Sequence, residues 1–174
     1  MLKYKIYIVV IFIVSILNAN EIQDIRKNYS FIQKNLKNFI EIQENNIIDS
    51  NLSEISYEAK NHLLMLTSMN KFYDKNKIRK INILLEYWTY KGKSEYFYID
   101  NKLFFVYKIR HYFLRLKDGS LNRDKYITQE HRYYFSNQKM IKYLFNKEVI
   151  KKGTQCFKEE ESEVLHDSKI YKEF

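Results

Sequence analysis

Among the side chains able to do chemistry, the histidines come first: His62, His111, His131 and His166. No two of them stand four residues apart, the spacing that sets two imidazoles on one helix face for a metal, so no metal site is expected. Cys156 precedes His166 by ten residues, and a thiol nucleophile needs a base supplied by the fold, not by the sequence. The triplet Glu159-Glu160-Glu161 reads as the solvated first turn of a helix in preference to a cation site. Glu95, Asp100 and Glu130, the carboxylates nearest the central strands, read as turn or outward-facing residues. No phosphate-cradling glycine loop and no G-x-S-x-G elbow is present. The expectation is a protein without cofactor and without enzymatic activity.

Tyrosine is the other chemistry on offer. In EYFYID, Tyr96 and Tyr98 alternate with Phe97 and Ile99, so a strand turns its tyrosines to one side and its Phe/Ile pair to the other. The Phe/Ile side reads as core. The tyrosine side reads as an open surface, where aromatic rings stack sugars or bases or anchor a protein interface. Tyr96, Tyr98 and Tyr107, with Lys117 and Asp118 from a polar loop, form the candidate binding site.

The elements that must position these residues follow from periodicity. Residues 21–45 lack Gly and Pro, and Ile22, Ile25, Tyr29, Ile32, Leu36 and Phe39 recur at helical spacing, predicting an amphipathic helix of about six turns. Residues 52–60 are ambiguous between strand and turn. From His62 onwards, HLLMLTSMNKFYD and IRKINILLEYW read as two strands joined around Asn76. Lys91-Gly92-Lys93 is the expected turn into a central hairpin, EYFYIDNKLFFVYKI, which pivots at Asn101. FYDKNKI, FYIDNKL and YYFSNQKM share one pattern of aromatics, a polar Asn-bearing turn and an apolar residue, predicting three successive hairpins.

After Leu103, the charges Lys108, Arg110 and His111 interrupt alternation and predict a bulge or an early strand end. Residues 117–125 read as a loop, 129–135 and 139–145 as the last strands, and 146–158 as irregular. A closing helix opens at Glu159 and carries Val164, Leu165, Ser168 and Tyr171 on one face. The fold class is therefore α+β: an antiparallel β-meander of four to seven strands packed against a long N-terminal amphipathic helix, with a short C-terminal helix over an end or edge.

The 174 residues suit one domain, and the formal charge is +9. Lysine outnumbers arginine, whose planar fork nucleic-acid recognition favours, so no specific nucleic-acid site is expected. Lys3 and Lys5 precede an apolar run from Ile6 to Leu17 and a small residue, Ala19, which is the pattern of a secretory signal. The expected organisation is a signal over 1–19, a single α+β domain over 20–174, and no transmembrane span after cleavage. The mature chain keeps a net charge of +7 once Lys3 and Lys5 leave with the leader.

The leader, the helix IRKNYSFIQKNLKNF, the phrases KFYDKNKIRKI, EYFYIDNKLFFVYKI and EHRYYFSNQKMIKYL, and the terminal helix together resemble a family of small exported bacterial proteins, many of them lipoproteins. The resemblance implies an envelope location, periplasmic or secreted, and no assigned catalytic residues. Where many relatives place Gly after Asn in their turns, this chain has Asn101-Lys102 and Asn137-Gln138, which predicts longer or less tight turns. The lipid-bearing cysteine of the lipoproteins has no counterpart beside the leader. The function expected is non-enzymatic binding of an envelope protein or an anionic surface; a hydrolase of envelope polymers and an inhibitor of another enzyme are the alternatives.

Overall fold

The computed structural model describes residues 20–45 and 64–173. Helix α1 runs over residues 20–35. It is shorter than its periodicity suggests, because the Asn35 side chain caps back onto the Phe31 carbonyl at 2.8 Å and the chain tightens into a single turn over Leu36–Asn38. Beyond Phe39 the pattern changes to strict alternation, Ile-Glu-Ile-Gln, and forms strand β1, Ile40–Asn45, which the helical reading had absorbed. The leader and the ambiguous stretch 52–60 lie outside the described residues.

Seven further strands follow: β2 Leu64–Asp74, β3 Lys77–Tyr87, β4 Tyr90–Ile99, β5 Lys102–Arg115, β6 Leu121–Ser136, β7 Lys139–Phe145 and β8 Glu148–Ile150. They form one sheet of eight strands in sequence order, each antiparallel to the next. The three expected hairpins are present, and all three turn with two residues between strands. Asp100-Asn101 and Asn137-Gln138 both hold positive φ at each position, so the turns are tight despite lacking glycine. A fourth turn of this kind, Asn146-Lys147, starts β8 in the stretch expected to be irregular.

Three boundaries differ from the sequence reading. The turn before the central hairpin is Trp88-Thr89, not Lys91–Lys93; Gly92 lies inside β4, where a Cβ would stand 3.1 Å from the Ile109 carbonyl oxygen. Strand β5 continues through Lys108, Arg110 and His111 in unbroken register, and its irregularities fall on either side, at Phe104 against β4 and between Phe113 and Leu114 against β6. The loop expected over 117–125 closes within 116–120, held by Leu116 N–H donating to the Ser120 carbonyl at 2.8 Å, and β6 starts at Leu121.

The sheet packs on both faces. On one, the row Lys80, Phe97, Phe105, Tyr134 lies under α1, whose Ile25 and Ile32 are buried there with Phe104. This bears out the expected Phe/Ile core. On the other, the row Ile81, Tyr96, Val106, Tyr133, Tyr143 is covered by α2, Gln155–Glu173, through Phe157 and Val164. Helix α2 begins a turn before the acidic triplet because Thr154 accepts a cap hydrogen bond from Phe157 N–H at 3.3 Å. It lies across the middle of that face, with polar contacts to β4, β5, β6 and β7, and not at an end or an edge.

Candidate functional site

The five residues singled out in the sequence fall in three places. Tyr96 and Tyr98 lie beneath α2 at 1% and 0% exposure, which corrects the expectation of an open tyrosine face. The reason is chemical complementarity with the helix. Tyr96 donates to Asp167 at 3.2 Å, and Tyr98 shares a hydrogen bond of 3.0 Å with Ser168. A face of tyrosines can therefore be a core face, provided the covering helix supplies a polar partner for each hydroxyl.

The rest of that seam follows the same rule. Lys108, buried on β5, donates to Asp167 at 3.2 Å and to Glu163 at 3.3 Å. Burial raises the Asp167 pKa, and the Lys108 ammonium pulls against it. Tyr133 and Tyr143 stack with centroids 4.8 Å apart; Tyr133 donates to Glu160 at 2.6 Å, and the Met140 N–H donates to Glu161 at 2.6 Å. Two of the acidic triplet, Glu160 and Glu161, thus dock α2 on the sheet, while Glu159 stays exposed and accepts from Gln155 Nε2 at 2.7 Å. His131 Nδ1 sits 2.9 Å from the Tyr143 hydroxyl and 3.0 Å from that of Tyr133, while Nε2 is buried with no hydrogen-bond partner among the described residues. Burial, then the nearby Arg110 and Lys108 charges, lower the His131 pKa to about 4 and keep the ring neutral at physiological pH.

Tyr107 is on the opposite face, beside α1. The Arg132 guanidinium lies 5.8 Å over its ring and pairs with Glu130. Of the other two central carboxylates, Asp100 is a turn residue as expected, but Glu95 is not outward-facing. It is buried between Lys80 at 2.7 Å and Lys93 at 2.8 Å. Burial pushes its pKa up, yet the two ammoniums outweigh burial and the net shift is downward.

Lys117 and Asp118 occupy the turn between β5 and β6. The Asp118 carboxylate accepts from the Ser120 N–H at 3.0 Å and hydroxyl at 2.7 Å, which lowers its pKa and stiffens the turn. Against this turn lies the Trp88-Thr89 turn, joined to β5 by Phe113 N–H donating to the Thr89 carbonyl at 3.0 Å. Together they form the far end of the sheet, opposite the three Asn-bearing turns.

Apolar and cationic groups mix at that end, with Glu86 4.0 Å from Arg123 and Asp118 in the turn as acidic neighbours. Trp88 is 57% exposed, Ile127 59%, Leu116 47% and Tyr126 46%. Arg123 lies over Trp88 at 5.3 Å, and Lys91 over Tyr126 at 5.6 Å. Here α1 no longer covers its face, and a shallow hollow of about 300 Å³ opens between Leu84, Lys91, Lys93, Ile109 and His111. The sequence reading located Lys117 and Asp118 but missed Trp88, Lys91 and Arg123, which belong to three different strands or turns and meet only through strand register.

Among the described residues, no helix is long and apolar enough to cross a membrane, and no group of three or more His, Cys, Asp or Glu is placed to hold a metal ion. No family model, curated protein or solved structure matches the chain.

Proposed function

We propose that the protein is a non-enzymatic binding protein of the bacterial envelope, exported by its leader, that docks on an anionic membrane surface through the far end of the sheet. The observation that carries this reading is the half-exposed Trp88 ring at the sheet's far end, where Leu116, Tyr126 and Ile127 are exposed as well, Tyr126 and Ile127 on opposite faces, with Lys91, Arg115, Lys117 and Arg123 on the same two turns and their strands. Indole and phenol rings settle at the boundary between headgroup and acyl chain, and lysine and arginine add attraction to anionic lipid. Support for the absence of catalysis is local. The carboxylates of the α2 seam are engaged, Asp167 by Lys108 and Glu160 by Tyr133, and Glu95, the central carboxylate a hydrolase would need, is closed between two ammoniums.

Trp88 is the only tryptophan in the chain, so its emission reports on this end alone. On titration with phosphatidylglycerol-containing vesicles, emission is expected to shift to the blue and the protein to sediment with the lipid. Vesicles of phosphatidylcholine alone are expected to leave both readings unchanged. Unchanged emission with anionic vesicles refutes the membrane reading, and a shift produced only by an envelope protein fraction replaces lipid with a protein partner.

A further inference from the structure

A separate concavity opens on the α1 side of the sheet, with a volume of about 470 Å³. That size falls within the range of small-molecule sites, roughly 300 to 1,000 Å³. Its walls are aromatic: Tyr29 stands edge-on to Phe105 with centroids 5.4 Å apart, Phe105 meets Tyr134 at 5.1 Å, and Tyr107 closes one side. Two guanidiniums reach it from different elements, Arg26 from α1 and Arg132 from β6. Glu130 is the carboxylate that faces Arg132, so cationic charge exceeds anionic charge at the mouth, and Lys142 adds to it 5.9 Å above the Tyr134 ring.

We propose that this concavity is a binding site for a small, flat, unsaturated molecule bearing one anionic group. Aromatic walls take a planar body by stacking and edge contacts. A guanidinium offers a carboxylate, sulfonate or phosphate two parallel donors, and Arg132 lies over Tyr107 on the wall of the cavity with its charge held at the rim. The same geometry disfavours a cation, which Arg26 and Arg132 would repel. It also disfavours a long aliphatic chain, since Ile25 is the one aliphatic side chain in a lining otherwise built of rigid rings and guanidiniums. The site is independent of the membrane-docking end: Tyr107 and Arg132 are separated from the far turns by the rows of Ile109 and His111.

The test uses the full chain and two dyes with the same rings, 8-anilinonaphthalene-1-sulfonate and its uncharged counterpart N-phenyl-1-naphthylamine, titrated by fluorescence and calorimetry. One sulfonate dye per chain is expected. Arg132→Gln should weaken the sulfonate about tenfold while changing the uncharged dye less than about twofold. Arg26 is exposed on α1, so Arg26→Gln keeps the fold and should weaken the sulfonate severalfold even if Arg132→Gln proves unstable. Trp88→Ala should leave sulfonate binding intact, and Arg132→Gln should leave vesicle binding intact, so the two readings fail separately. Sulfonate affinity unchanged in both arginine variants, equal losses for both dyes, several equivalent weak sites, or no binding would each overturn the proposal.

Discussion

His131 illustrates what a buried polar residue costs and what it reports. Its ring packs on Tyr133 and Tyr143, its Nδ1 is satisfied by their hydroxyls, and Lys108 and Arg110 face it from β5 while Glu163 faces it from α2. The folded pKa is lowered to about 4, whereas an unfolded chain titrates near about 6.5. Between those values the unfolded chain binds a proton that the folded chain refuses, so stability falls as pH falls. From pH 7 to pH 5 the loss assigned to this group is on the order of 2 kcal/mol. Asp167 acts with the opposite sign: its raised pKa means the folded chain takes up its proton first, and stability rises as pH falls through that value. Urea unfolding midpoints at the two pH values should therefore drop more steeply for the native chain than for His131→Gln. Equal slopes would show that the histidine is not the group responsible. None of this was readable in the sequence, where His131 was one of four scattered histidines. Its partners are assigned by cross-strand register, which places Tyr143 and Phe145 of β7 beside it.

At the scale of the elements, what the sequence revealed was governed by local periodicity. Strand β7 lies at the expected residues, and the Asn-bearing turns join the expected hairpins, because alternation and turn chemistry are encoded within a few neighbouring positions. Errors arose where a tertiary partner overrode a local signal. The charges in β5 read as a strand end because α2, which neutralises Lys108 through Asp167 and Glu163, is more than fifty residues away. Helix α1 ended early because the competing strand pattern of β1 needs β2 as its neighbour. The turns themselves remain strained. Gln138 holds φ at 61° and Lys147 at 74°, in the left-handed region where a Cβ crowds the backbone. Gln138→Gly converts the turn to Asn-Gly, the preferred pair for a two-residue hairpin, and is expected to stabilise the protein by about 1 kcal/mol. That corresponds to a rise in melting temperature of about 2 to 4 °C in a chain of this size. A lower melting temperature would mean that the Gln138 side chain makes contacts that outweigh its backbone strain.

For the whole molecule, the decisive property is that the two faces of one sheet are covered unequally. Helix α2 spans the tyrosine face with polar contacts that reach from Met140 to Asn101, where Lys172 donates to the Asn101 carbonyl at 3.2 Å. Helix α1 buries only the turn-proximal rows of the opposite face. Strands β5 and β6, at 14 and 16 residues, extend past both helices and carry the basic, apolar end into solvent. The candidate surface thus moved from the tyrosines to the strand ends, because the tyrosine face was taken by the helix that completes the core. If this end docks on anionic lipid, two forces act together, and they separate by salt. Attraction of Lys91, Arg115, Lys117 and Arg123 is screened over a Debye length of about 8 Å at physiological ionic strength, shrinking to about 3 Å at 1 M salt. Insertion of Trp88, Leu116 and Ile127 is not screened. Raising salt should therefore release the native protein from phosphatidylglycerol vesicles only in part, whereas Trp88→Ala with Leu116→Ser should be released completely. Replacing Lys91 and Lys117 by Gln should lower affinity at low salt and flatten its salt dependence, each lysine being worth about 1 kcal/mol near the surface. Complete release of the native protein by salt would assign the binding to charge alone and leave the exposed tryptophan without a part in it.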